Sequence, residues 1–430
     1  MSVVSKKIRI GLRTRINCPH CWEAFASEDV LWVATHPDLL NDPRLGPDKH
    51  QRFLPTRFNA EGNAIDIRGM VCQELACPRC HLTIPRELLE LPPVFMSIAG
   101  TPSCGKSYYL AAMTWTLRQT LPRNFLLSFS DADPTSNSIL NKYEEDQFHN
   151  PSSDQIVKLK KTEEQGDAYD IVQYGEQRIS YPRPFLFTLR TTQKHPSAEN
   201  ASKVSRILCV YDNAGESFLP GADTVASPVT RHLSQSHAIL FCFDPTQDPR
   251  FREACQGRTD DYQISKAPVT ARQETVLHEL VHRVRHHSGL KQTERRQQPL
   301  IVMVTKYDAW WPLNHYERLP TPWRPVGNKG LSCLDMDLVK KVSDAIRGLL
   351  SQVTPELVSA AEEFSHQTWF IPVSATGSAP EYMGTVEGKE QWGVKPKNIN
   401  PMWCEVPFLT ALACTTGGLV PTCQRATNSQ

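Results

Sequence analysis

Pro93–Ser107 reads PVFMSIAGTPSCGKS, and the chain continues to Leu121 as YYLAAMTWTLRQTL. The run PVFMSIAG (93–100) is apolar without the alternation of a half-exposed strand, which suits a central parallel strand covered on both faces. KSYYLAAMTWTLRQTL (106–121) has the spacing of an amphipathic helix. A glycine-rich turn between such a strand and helix lets consecutive backbone N–H groups point at phosphate oxygens, and the helix N-terminus adds positive potential. Gly100 and Gly105 permit the turn; in the pattern GxxxxGK[ST], Lys106 reaches the β and γ phosphates and the Ser107 hydroxyl is a Mg2+ ligand. Ser103, Cys104 and Tyr108 are the remaining candidate contacts of this phosphate loop.

Working outward, four more apolar segments follow: RILCVYD (206–212), AILFCFD (238–244), PLIVMVTKYD (299–308) and TWFIPVSA (368–375). Candidate helices lie at 229–236, 270–287, 337–352 and 402–416. Strand alternating with helix predicts an α/β fold, a three-layer P-loop NTPase sandwich built on a mostly parallel sheet. Two polar stretches, 131–180 and 245–296, interrupt the rhythm and read as surface insertions or mobile loops. The expected organisation is a small module over 1–90, a nucleotide-binding domain over 91–417 and a flexible tail over 418–430.

The strand ends carry the remaining chemistry. Asp212-Asn213-Ala214-Gly215 closes RILCVYD, where an acid can hold a Mg2+-bound water and the Gly215 N–H can sense a γ-phosphate. Thr305-Lys306-Tyr307-Asp308 closes a third strand, and Ser374-Ala375 a fourth. The Asp308 carboxylate can accept two N–H bonds from guanine N1 and N2, which adenine does not offer. The Lys306 stem can lie along the base, and the Ala375 N–H can meet guanine O6.

Through GTPSCGKS, DNAG, TKYD and VSA the chain resembles the translation-factor-related (TRAFAC) class of P-loop GTPases over about residues 92–416. PFLFTLRTT (184–192) and RILCVYD, joined by a short polar connection, suit the antiparallel hairpin which that class shows before DxxG. In architecture the chain is similar to bacterial double-GTPase-type domains of conflict and signalling systems. The resemblance implies a switch that binds GTP and GDP with Mg2+, hydrolyses GTP and engages a protein effector. It also marks departures. Glu216 stands where Ras-like members carry the water-positioning glutamine, so as a catalytic residue beside Lys106 it implies slow hydrolysis, or a non-hydrolysing GTP-bound scaffold. Pro102 stands where glycine is usual, and the switch I threonine is to be sought at Thr162 or within 166–183.

Thirteen cysteines include two matching pairs, CPHC (Cys18, Cys21) and CPRC (Cys77, Cys80), with 55 residues between the pairs. Two such knuckles make the four-thiolate tetrahedron that Zn2+ favours, a structural, closed site of zinc-ribbon type with an insertion between its halves. His20, Cys72 and His81 are alternate ligands, and the other cysteines are expected as buried free thiols in a reducing compartment. The 47 basic and 46 acidic residues give net +1, so no global field draws the protein to nucleic acid or a membrane. Lys6, Lys7, Arg13 and Arg15 form a modest basic face that admits nucleic acid, although a solvated edge is the favoured reading. No window nears 18 uninterrupted apolar residues, and a cytoplasmic location is expected. His278-Glu279-Leu280-Val281-His282 matches the zinc-protease pattern HExxH, with His286 a turn further; because it falls where a helix should precede the TKYD strand, the polar face of that helix is favoured.

Overall fold

The computed structural model describes residues 11–157, 169–212, 231–266, 272–314, 316–327, 330–386 and 389–423. The central sheet is built from β1 (Pro93–Gly100), β2 (Leu127–Asp131), β3 (Phe185–Thr191), β4 (Arg206–Asp212), β5 (Ala238–Phe243), β6 (Leu300–Val304) and β7 (Thr368–Pro372). Their spatial order is β2-β3-β4-β1-β5-β6-β7. β1 pairs in parallel with β4 (Ile98 opposite Asp212) and β5 (Gly100 opposite Cys242), and the parallel register continues through β6 to β7. β3 runs antiparallel to β4, as the hairpin reading required, and β2 adds a further antiparallel strand at the edge. All eight residues of β1 are buried, which is why its sequence lacks polar alternation.

Among the described residues six longer helices accompany the sheet: α1 (Lys106–Thr120), α2 (Ser138–Phe148), α3 (Gln273–Ser288), α4 (Met336–Val353), α5 (Pro355–Phe364) and α6 (Val406–Thr415). α4 shows how sequence sets an element. The Asp335 carboxylate caps its start by accepting from the Leu338 N–H, and Val339, Val342, Ile346 and Leu350 place one apolar stripe in the core. α3 stops at Gly289, whose φ of 69° is the left-handed turn that ends helices.

Residues 15–84 form strands of two to five residues paired into small sheets. This module packs on one face of β1, β3 and β4. Phe95, Leu186, Ile207, Cys209 and Tyr211 share a core cluster with Ile16, Trp22, Trp32 and Leu82, whereas Val94, Met96, Phe187, Leu208 and Val210 belong to the core on the opposite face. The period of two along each strand thus divides the sheet between two cores.

Three expectations are corrected. The stretch 131–180 is not merely surface loop: α2 packs on α1 with Leu140 fully buried, and a hairpin of Tyr169–Tyr174 with Gln177–Pro182 sets Val172 in the module's core. The tail does not loosen at Gly417, because Leu419 and Val420 are buried and Thr422–Cys423 pairs with Leu331–Asp335. Nor are all non-ligand cysteines free thiols: Cys333 and Cys423 form a disulfide that closes this C-terminal pairing. Among the described residues no helix is long and apolar enough to cross a membrane.

Candidate functional site

At the C-terminal end of β1 the chain turns tightly. Gly100 has no room for a side chain, since a Cβ there would lie 2.7 Å from the Cys242 carbonyl oxygen on β5. Ser103 and Gly105 adopt positive φ of 61° and 92°, the left-handed positions from which an anion-binding nest is made. α1 then begins without a side-chain cap and with no acidic residue in its first turn, so its N-terminal amides keep their positive potential. The Lys106 ammonium folds back to donate to the carbonyls of Gly100 (3.1 Å) and Thr101 (2.9 Å). A hydrogen bond with Cys242, aided by that ammonium, brings the Cys104 thiol down to about 7. Charge, amide dipoles and a close backbone turn therefore meet at one point, the combination that holds phosphate.

The other predicted strand ends are tied to this loop. The Thr305 hydroxyl donates to the Cys104 carbonyl at 3.2 Å, and its N–H to the Phe243 carbonyl at 2.8 Å, so β6 ends against the Gly100–Gly105 turn and β5 together. Lys306, held at a left-handed φ of 56°, sends its ammonium 2.6 Å from the buried Asp244 carboxylate and 3.0 Å from the Thr246 hydroxyl. A non-glycine residue in that conformation costs about 1–2 kcal/mol, so neighbouring bonds must hold it. They include Trp310 Nε1 to the Thr305 carbonyl at 2.8 Å and the Tyr307 N–H to Val373 at 3.1 Å. Asp308 accepts from the Ser374 hydroxyl on Oδ1 and from Gln263 Nε2 on Oδ2 at 3.2 Å. Burial pushes the Asp308 carboxyl above its ordinary range, against the pull of the Ser374 hydroxyl.

The structure thus places Gly100, Ser103, Cys104, Gly105, Lys106, Thr305, Lys306, Asp308 and Ser374 at the ends of β1, β6 and β7, with Lys106 bonded to Gly100, Thr305 to Cys104 and Ser374 to Asp308. Ser107 and Tyr108 begin α1, Ala375 follows Ser374, and Asp212 ends β4 beside β1. Gly215 and Glu216 lie outside the described residues, as do Thr162 and the first part of 166–183; the rest of that stretch is largely the hairpin above. Sequence reasoning passed over Asp244, Gln247, Gln263 and Gln273. Asp244 had a signal, as an acid closing an apolar strand, but its pairing with Lys306 follows only from the β5–β6 register. Gln247 donates to the Pro102 carbonyl at 3.3 Å, and Gln273 brackets the Asp244 backbone, donating to its carbonyl and accepting from its N–H, both at 2.7 Å.

The second site is the cysteine cluster. Cys18 Sγ lies 3.7 Å from Cys80 Sγ and Cys21 Sγ 3.8 Å from Cys77 Sγ, and all four sulfurs fall within 4.8 Å of one another. A tetrahedron with metal–sulfur bonds of about 2.3 Å has edges of about 3.8 Å, so the cluster fits a metal ion such as zinc. The two knuckles repeat one geometry. In each, the N–H two residues on donates to the first sulfur (His20 to Cys18 at 3.3 Å, Arg79 to Cys77 at 3.4 Å). In each, the residue after the second cysteine turns left-handed, Trp22 at φ 60° and His81 at 64°, and donates to the first cysteine's carbonyl. Thiol hydrogen bonds from Cys18, Cys21 and Cys80 hold Cys77 far below the usual thiol range, whereas burial pushes Cys18 and Cys80 up. Of the alternates, His20 bonds the Thr83 carbonyl, His81 bonds Asp42, and Cys72 lies beside Asp66 and Thr35.

HELVH forms no metal group among the described residues: Glu279 pairs with Arg283 at 2.7 Å, and His278, His282 and His286 are exposed on α3. Of the basic face, Lys6 and Lys7 lie outside the described residues, Arg15 is exposed, and Arg13 donates to the Leu91 carbonyl just before β1. No protein-family model matches the chain, and no curated protein matches it. What fold and sites define is an α/β protein with a seven-stranded, mostly parallel sheet and a buried four-cysteine cluster suited to a metal ion.

Proposed function

We propose that this protein is a guanine-nucleotide switch of the TRAFAC P-loop type, stabilised by zinc in its N-terminal module. One observation carries the reading. The phosphate-type turn, the Thr-Lys-Tyr-Asp strand end and the Ser-Ala strand end are hydrogen-bonded to each other, through Thr305 to Cys104 and Ser374 to Asp308. Ser374 takes one side of the Asp308 carboxylate and so orients it, as recognition of two adjacent N–H donors demands. In this reading Gly100, Ser103, Gly105 and Lys106 hold the phosphates, Ser107 and Asp212 hold Mg2+ and its water, and Lys306 and Ala375 flank the base. Bound GTP would act through DNAG to alter affinity for a protein effector, and Glu216 would make hydrolysis slow. The resemblance in architecture suggests a cytoplasmic bacterial conflict or signalling system as the setting.

The test is base selectivity by calorimetry in Mg2+. Wild type should prefer GTP over ATP by on the order of a hundredfold, because adenine has no adjacent pair of N–H donors to offer the Asp308 carboxylate. Asp308→Asn should lose GTP and gain XTP, since its NH2 meets the oxygen that xanthine carries at C2. Equal affinity for ATP and GTP, or GTP binding untouched by Asp308→Asn, would reduce Thr305–Asp308 to an ordinary strand exit. Single-turnover hydrolysis separates a switch from a scaffold that keeps GTP as a fixed ligand.

A further inference from the structure

The Asp308 carboxylate already has a partner on the side away from Ser374. Gln263 Nε2 donates to Oδ2 at 3.2 Å, from the short helix Tyr262–Lys266 that lies against the TKYD turn. That helix is held from outside the contact. Its start is fixed by the Gln263 N–H donating to Asp261 Oδ1 at 2.8 Å, and Tyr262 stacks on Trp392 with ring centroids 3.4 Å apart and planes 19° apart. The carboxylate sits in surroundings that oppose its ionisation, with Asp261 adding a second negative charge nearby. An anion in such a place is costly unless donors surround it, and Ser374 supplies only one.

A primary amide N–H aimed at a carboxylate oxygen is the chemistry that the guanine amino group would bring to the same atom. We propose that Gln263 is the resident donor on the base-recognising carboxylate, and that a guanine base enters by displacing it, so that Gln263 sets the affinity and association rate for the nucleotide. The inference rests on the guanine-nucleotide reading of Asp308. The exchange is favourable for guanine because one N–H···O bond is given up for two. It needs no movement of the helix, since glutamine has three rotatable side-chain bonds and the Tyr262–Trp392 stack is untouched.

The experiment follows binding of ribose-labelled fluorescent GDP, and of the matching ADP, to wild type, Gln263→Ala and Gln263→Asn by stopped flow. Thermal unfolding of each variant serves as the check on folding. Removing the amide, or shortening its arm by one methylene, takes away the bond that the base must break. Both variants should bind GDP about tenfold more tightly, with most of the change in the association rate. GDP binding that is unchanged or weaker in both variants, while wild type still prefers GDP to ADP, overturns the role of Gln263 and leaves the guanine reading standing. Wild type with no preference between GDP and ADP overturns both. Gln263→Asn, which keeps a polar side chain, decides the matter if Gln263→Ala does not fold.

Discussion

Replacing Cys80 by serine tests how far the fold depends on the four-cysteine cluster. The four sulfurs are fully buried, and the two cross-knuckle separations of 3.7 and 3.8 Å are those of a filled four-thiolate tetrahedron. Serine is a poor ligand for a soft thiolate site, and loss of outer-shell partners alone costs about 10–100-fold in metal affinity. Loss of a direct ligand should therefore cost at least about a hundredfold. At metal concentrations that saturate wild type, a hundredfold loss removes about 2.7 kcal/mol of stabilisation from the folded module. Cys77→Ser together with Cys80→Ser should abolish binding. The assay is elemental analysis of protein purified without chelator, paired with limited trypsin digestion at Arg57 and Arg68, both exposed on the insertion between the knuckles. We expect one equivalent of zinc in wild type, with the double variant metal-free and cleaved faster in this module. Wild type with less than about a tenth of an equivalent of any metal and an unchanged digestion pattern would refute the argument.

Lys106→Ala should abolish triphosphate binding with a change in melting temperature of only a few degrees, because its ammonium bonds the Gly100 and Thr101 carbonyls of its own loop and the substitution removes no apolar packing from the core; undiminished GTP affinity in calorimetry would contradict the phosphate assignment. Acidification should weaken GDP binding before ordinary carboxylates titrate. Burial raises the Asp308 carboxyl, so the folded protein takes up this proton more readily than the unfolded chain, and the ionised form needed for guanine is lost as pH falls through that raised value. The same sign means that ionised Asp308 costs stability, which returns on protonation, and Asp308→Asn should lack both dependences; a GDP affinity in wild type that stays flat down to about pH 4 would count against the assignment. A truncation beginning at Leu91 should be insoluble, since Leu186, Ile207, Cys209 and Tyr211 lose the module that covers them; a soluble, cooperatively melting fragment would show that the module is dispensable.

Some elements announced themselves and others could not. β1 and β4–β7 were legible because each is a short apolar run with no polar alternation, which only a doubly covered strand tolerates. The knuckles were legible because CPHC and CPRC repeat one turn. β2 was missed although LSFSD alternates buried Leu127 and Phe129 with exposed Ser128 and Ser130, because five residues are too few to stand out within a polar stretch. The strands of residues 15–84 are no longer than β2 and mostly two or three residues, and they hold their places through the four-cysteine cluster and turns such as that of Asp66, whose carboxylate accepts from four backbone N–H groups. The Cys333–Cys423 bond and the Asp244–Lys306 pair join residues 90 and 62 positions apart, and no local pattern encodes such meetings.

The position of the four-cysteine cluster bears on the sheet as well as on the module. Successive residues of β4 face opposite ways: Tyr211 enters the module's core, while Asp212 ends the strand beside β1. The Tyr211 hydroxyl accepts from Trp22 Nε1 at 3.0 Å and donates to the carbonyl of Pro19, the second residue of the CPHC knuckle. On its other side Tyr211 stacks on His232, whose ring is bonded to Ser97 of β1, and the neighbouring Arg231 pairs with Glu23 of the module at 3.3 Å. The chain therefore leaves Tyr211 and returns at Arg231 with both ends fastened to the same knuckle. A cluster needed only to fold an independent module would not have to reach into the sheet in this way. The knuckle thus grips β4 one residue before Asp212 and the returning helix at Arg231, so a metal ion held by the four cysteines would brace both points. The module is thus a covering layer of the sheet itself, standing on one face of β1, β3 and β4 where an α/β sheet ordinarily carries helices.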